Sequence, residues 1–461
     1  MKKFGAVLAF VILSCANAFA VADWGFRDTC KAGSPEQVQI ALDQGASATE
    51  RFATGETPLS VACHNNPNPE VILALLKAGA SVTERNFLGE TPLLAAAYDN
   101  PNPDVILALL DAGASVSERG AIFEVTPLIA AAGSNPNPDV ILALLKAGAS
   151  VTERSTSSGE TPLIEAASSN PNPDVILALL NAGASVTERS TDGWTPLVSA
   201  AKDNSEPKMI LALIKAGAGV NESGGPFGMT PLLAAASHNP NPEVILTLLK
   251  AGASVTEMGL GELKLTPLMA AACYNPNPDV ILAFLKAGAS VTERDWKGWT
   301  PLLEAAYNNP NPEVILALLE AGASVTERTP DGWTPLMAAA GYNSEPKVIL
   351  AFLKAGSSVT ERTPDGVTPL IAAAHNSSNP EIIATLLRAG SSVTERDSKG
   401  FTPLITAAGF NPNPAVIIAL LKAGSDSKAT DSAGKTAFDY AGRNPKIKGT
   451  AAYWALNDAR F

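Results

Sequence analysis

Histidine is nearly absent: His64, His238 and His375 are the three in 461 residues, and they stand far apart. A zinc-binding HExxH helix is therefore ruled out, and neither a GxSxG nucleophile elbow nor a glycine-rich phosphate loop is present. Cationic side chains are outnumbered, 33 Lys and Arg against 45 Asp and Glu, for a net charge of −12. They gather into no basic stripe, so a phosphate backbone would be repelled and nucleic acid is not an expected partner. Long apolar runs are missing as well. The run from Phe4 to Leu13 (FGAVLAFVIL) is far short of the roughly 20 residues that span a bilayer, so no transmembrane segment is expected. Cysteine is sparse: Cys15, Cys30, Cys63 and Cys273. With Cys15 in the leader described next, three remain, and an odd number builds no disulfide framework.

What is present begins with an export signal. Lys2 and Lys3 precede the apolar run, and Ala18-Phe19-Ala20 supplies an A-x-A cleavage site. Residues 1–20 are thus expected to be a signal peptide, leaving a mature chain near Val21 in the periplasm or secreted. Losing the two lysines takes the charge to 31 − 45 = −14. A second reading stands beside it: Ile12-Leu13-Ser14-Cys15 resembles a bacterial lipobox, which would leave a lipoprotein membrane-anchored through Cys15.

The rest of the chain repeats itself. Thr-Pro-Leu recurs from Thr57 to Thr402 at spacings of 34 to 36 residues, and Thr436-Ala437-Phe438 is a worn last copy. Thr161-Pro162 predicts a helix start, since proline's missing N–H costs nothing in a first turn. Leu163, Ile164, Ala166 and Ala167 give that helix a packing face, and Asn170-Pro171 stops it. Asn172 is placed to cap a second helix that runs through Val175–Leu180, with Pro173 at its first position and Asp174 complementing the dipole. Gly183 suits a left-handed terminus. Ser185-Val186-Thr187 reads as extended, and Asp192-Gly193 as the turn of a finger before the next Thr-Pro-Leu. The Asn-Pro-Asn-Pro stretches, such as Asn135 to Pro138, read as architecture: a helix stop and restart rather than a ligand motif.

Thr-Pro-Leu, an alanine-faced helix, a leucine-rich helix, Ala-Gly-Ala and a finger together resemble the ankyrin repeat, over nearly the whole mature chain. That resemblance implies an all-α repeat solenoid of helix-loop-helix-finger units with short hairpin fingers. Residues 21–52 are expected to form an N-terminal capping partial repeat, 53–430 an array of eleven full repeats, and 431–461 a C-terminal capping repeat. Two departures stand out. The usual His after Thr-Pro-Leu is replaced by Ser60, Leu94, Ile129, Ile164 and others, implying apolar packing in its place. Asn-Pro-Asn-Pro replaces the usual Gly-His between the helices, with one extra residue.

The resemblance also places the binding surface, on the helix positions and fingers that line the concave face in this family. Those are the zones that vary between repeats here. Tyr98, His238, Tyr274, Tyr307 and Tyr342 occupy the two positions after the first-helix alanines; Trp194, Trp296, Trp299 and Trp333 occupy fingers. Every residue beyond a 34-residue period falls in a finger, and three longer fingers carry Ile122, Phe123, Phe227, Met229, Leu260 and Leu263. Tyr and Trp dominate many interfaces, and apolar loop tips gain nothing from solvent. These fifteen residues are the candidate partner contacts, for a protein partner bound by a monomer. No catalytic residue, cofactor or metal site is expected. At about 10 Å per stacked helix layer, successive histidines would lie ~40–50 Å apart, too far to share a metal. The Glu-Arg pairs of SVTER read as solvated finger bases. Cys30 and Cys63 read as buried and, at about 10 Å per layer, beyond the ~7 Å reach of a disulfide; Cys273 reads as the solvent-facing thiol.

Overall fold

The computed structural model describes residues 24–121, 124–259 and 264–459. The expected leader with Cys15, and the finger residues Ile122, Phe123, Leu260 and Leu263, lie outside them. The chain forms two units, Met1–Pro226 and Phe227–Phe461, and the division falls inside the repeat array. Each is an all-α stack of two-helix repeats, in which first helices pack on first helices of adjacent repeats and second on second.

The repeat at Thr161 shows how the sequence builds this. The first helix is Pro162–Ser169, and the Thr161 hydroxyl oxygen accepts the Ile164 N–H at 3.3 Å. The second is Pro173–Asn181, capped by Asn172 Oδ1, which accepts the Asp174 N–H at 3.0 Å. It ends in a Schellman motif: Gly183, at φ +95°, donates to Leu180 O, and Ala184 donates to Leu179 O, both at 3.0 Å. Leu163, Ile164, Ala166, Ala167, Val175, Ile176 and Leu179 are buried. Each large one is worth about 1.5–3 kcal/mol of burial, which only a neighbouring repeat can supply.

Asn-Pro-Asn-Pro is architecture, and its asparagines do more than cap. Asn170 is fully buried, and its Nδ2 donates to Ala132 O and Asn135 O of the preceding repeat, each at 2.8 Å. Its Oδ1 accepts the Asn172 N–H at 2.9 Å. Asn172 Nδ2 in turn reaches Pro136 O at 2.7 Å. The same pair of rungs recurs at Asn100 and Asn102, Asn135 and Asn137, Asn275 and Asn277, and Asn309 and Asn311. Where Glu206 and Glu345 replace the second asparagine the side-chain cap is lost, yet Asn204 and Asn343 keep the buried rung.

The fingers differ from expectation in two ways. Ser185-Val186-Thr187 is a turn, closed by Glu188 N–H to Ser185 O at 3.3 Å, rather than an extended run. The short hairpin is correspondingly reduced to one tight turn, with Ser190 N–H on Trp194 O and Gly193 N–H on Ser190 O, both 3.0 Å. The SVTER pairs are not merely solvated bases. Thr161 Oγ1 donates to the Glu188 carboxylate, as Thr57, Thr91 and Thr300 do to Glu84, Glu118 and Glu327. Burial pushes these four carboxyls up, and the threonine bonds oppose it. The buried residue after Thr-Pro-Leu is apolar in most repeats, as expected, while the threonine hydroxyl finds its partner in the finger. Arg154 Nη1 then ties its own finger to the next, bonding Gly159 O at 2.7 Å and Arg189 O at 2.6 Å.

Replacing Asn170 with Ala strands two buried carbonyls and is expected to cost about 2–4 kcal/mol, against about 1 kcal/mol for the cap Asn172→Ala. Urea unfolding of the two variants measures the order; equal midpoints would make the buried rung no more than a cap.

Candidate functional site

The variable helix positions lie at the C-terminal ends of the first helices, and in Phe227–Phe461 the finger aromatics fold onto them. The Trp299 ring meets Tyr307 edge-on at 5.5 Å, Tyr307 stacks against Tyr342 of the next repeat at 4.5 Å, and Trp333 lies 6.0 Å from Tyr342. Further along, His375 stacks on Phe410 at 4.9 Å, and Phe401 bridges Phe410 and Tyr440 at 6.1 and 5.1 Å. Trp299 and Trp333 are thus half-buried walls of the column. Tyr307 and Tyr342 stay 37% and 46% exposed despite these contacts, and Tyr274 is 45% exposed. Trp296 is exposed beyond the column, under the Lys297 amine at 4.9 Å. His238 and Phe227 are exposed and Met229 is half-buried.

Two acidic side chains sit in the column where most repeats have alanine, Glu165 in one unit and Glu304 in the other. Burial first, then the nearby Asp295, pushes the Glu304 carboxyl up to about 7, with Cys273 and Lys297 pulling the other way. Burial and Glu160 bring Glu165 to about 7. Cys273 is not the solvent-facing thiol that its column position suggested. It is 4% exposed, because Glu304 and Asn308 of the following repeat close over it, and burial pushes its thiol up to about 12. Cys30 and Cys63 are unpaired and buried.

In Met1–Pro226 the column is more polar. His64 Nδ1 lies 2.9 Å from Asp99 Oδ2 and its Nε2 lies 3.6 Å from Glu90 Oε2. Burial opposes the imidazolium, but these two carboxylates outweigh it and hold His64 at about 9. Tyr98 is half-buried nearby, its phenol pushed up by burial and by Glu90, Glu165 and Asp99. Trp194 lies under the Lys202 amine at 5.5 Å and against Gly225, where a Cβ would come within 2.8 Å of the indole. Glycine is required there twice over, since its φ is +76°.

One surface went unread in the sequence. The middle residue of the nine-residue second helix is exposed in six repeats, at Leu107, Leu142, Leu177, Leu211, Leu282 and Leu350. The buried Val-Ile pair before these leucines, Met209-Ile210 before Leu211, hid them, because six consecutive apolar residues look like uniform core. Among the described residues no group of three or more His, Cys, Asp or Glu side chains is placed to hold a metal ion, and no helix is long and apolar enough to cross a membrane.

Comparison with known proteins follows the repeats closely. A family model described as ankyrin repeats in three copies matches residues 27–120, 93–190, 166–259, 257–329 and 311–397. A second, for ankyrin repeats in many copies, matches 386–441. No curated protein matches the chain.

The column's acids make stability pH-dependent. A carboxyl whose folded pKa is raised costs stability as pH climbs from the unfolded value through about 7; His64, raised to about 9, loses its contribution as pH climbs through that value. Glu304→Gln should therefore raise the Tm at pH 8.5 by a few degrees and leave it unchanged at pH 4.5, as thermal scans at the two pH values will show. In the native protein Cys30, Cys63 and Cys273 should all resist a thiol reagent and react together only after denaturation.

Proposed function

Because the chain belongs to the ankyrin-repeat family, whose members generally serve as protein–protein interaction scaffolds, we propose that it is a non-enzymatic scaffold binding a protein partner outside the cytoplasm. One observation carries the reading: exposed aromatics collect on the positions that vary between repeats, while the second helices barely change. Rigidly held Tyr and Trp give large contact area at little entropic cost, which suits a binding surface. The basic and apolar start of the chain and its A-x-A site support export. Envelope organisation through a lipid on Cys15 is the second reading, favoured by Leu13-Ser14-Cys15, and the mass of the mature N-terminal peptide decides between them.

Affinity capture tests the scaffold. Tyr274→Ser, Tyr307→Ser and Tyr342→Ser combined should reduce capture of specific partners at least tenfold, with a Tm only a few degrees lower. Leu282→Ser with Leu350→Ser, on the second-helix face, should leave capture intact. The reverse pattern would move the interface to the leucine row and overturn this assignment.

A further inference from the structure

We infer that the aromatic column over Glu304, in Phe227–Phe461, docks a cationic segment of the partner protein, an extended stretch bearing Arg or Lys. The inference rests on the scaffold reading and names the chemistry of the docked chain.

The site is built by three consecutive repeats. Tyr274 closes helix Pro267–Tyr274, Glu304 and Tyr307 lie on Pro301–Asn308, and Tyr342 closes Pro335–Tyr342. Trp299 and Trp333 back the tyrosines from the fingers. Aromatic faces are electronegative and attract guanidinium and ammonium groups within about 6 Å. A carboxylate beneath them adds a charge-assisted acceptor. An anionic segment would meet both the rings and the overall charge of −12 as repulsion.

The comparison within the chain sharpens this. In Met1–Pro226 the column supplies its own cations: His64 sits between Asp99 and Glu90, and Lys202 lies over Trp194. In Phe227–Phe461 the amines over rings are Lys297 on Trp296 and Lys435 on Tyr440. Among the described residues none lies over Tyr307, Tyr342, Trp299 or Trp333, and no ion pair reaches Glu304. The groups that face Glu304 are Asp295 and Lys297 from the finger before it, Cys273 and Tyr274 from the preceding helix, and Tyr307 on its own helix. Asp295 is committed to its turn, accepting the Lys297 and Trp299 N–H groups at 2.9 and 2.7 Å. Glu304 accepts the Cys273 thiol and keeps its remaining lone pairs for an incoming cation. Its carboxyl sits near 7, so docking a cation releases a proton and tightens as pH rises from 6 to 8.

The test titrates the full chain with capped hexa-arginine at physiological salt, followed by tryptophan fluorescence and calorimetry, with hexa-glutamate and hexa-serine as controls. Hexa-arginine should bind, and the controls should not. Glu304→Gln and the pair Tyr307→Ser, Tyr342→Ser should each weaken binding about tenfold. Glu313→Gln, the same charge change at the start of a second helix, should not. Wild-type affinity should rise several-fold from pH 6 to pH 8, and the rise should vanish in Glu304→Gln. Binding weakened equally by Glu313→Gln and Glu304→Gln reports bulk charge and overturns the inference, as does binding indifferent to both. If partner capture still depends on the tyrosines in that case, the scaffold stands and the cationic assignment alone falls. Glu304→Gln relieves a buried acid, so its folding is secure; near-native circular dichroism confirms it for the tyrosine pair.

Discussion

Everything in this molecule depends on a buried carboxamide that must satisfy three groups at once. The first asparagine of Asn-Pro-Asn-Pro, as at Asn170, turns its N–H groups to carbonyls of the preceding repeat and its oxygen to a backbone N–H of its own loop. Those carbonyls belong to a helix terminus and a loop, where no regular partner exists. Unpaired and buried, each would cost more than most single contacts return. The amide fits because asparagine alone among small side chains carries two donors and an acceptor on one plane. Stacking, period and helix spacing follow from keeping that geometry, and apolar burial supplies the driving energy around it.

Around this spine the chain divides its labour. The second helices and the Thr–Glu and Arg–carbonyl bonds of the fingers repeat with little change, so they carry stability. The ends of the first helices and the finger tips vary, and they are the positions we propose for recognition. The acids at Glu165 and Glu304 belong to the second group: they displace alanine from a packed position, a cost that no stability argument repays. Tyr307 and Tyr342 likewise expose ring surface that an ordinary packing module would bury.

The fold was legible because its signals are local and repeated. Proline at helix starts, glycine at helix ends and alanines between neighbouring helices each state a backbone requirement within a few residues. The side-chain partnerships were less legible because they cross from one repeat to the next. Cys273 was read as exposed from its column, but Glu304 and Asn308, more than thirty residues on, decide its environment. The fingers' tryptophans could be placed near the column, but not onto Tyr307 and Tyr342, since that depends on how far a turn leans. A usable signal was overlooked in the glutamate of SVTER. It recurs through the array, and a solvated side chain has no reason to be so constant. The constancy was its bond to the capping threonine.

The asparagine spine also has a direction. In these rungs the donors come from the later repeat and the acceptors from the earlier: Asn100 reaches back to Cys63 and Asn66, and Asn444 to Ala408 and Asn411. Synthesis delivers the N-terminal repeats first. An emerging repeat with this asparagine therefore meets a finished row of carbonyls awaiting its amide, and leaves a fresh row behind it; at Ser377, which stands in the asparagine's place, the hydroxyl bonds Asn379 of its own loop instead. The growing end is always a template and never a stranded donor, so the array can zip up in the order in which it is made.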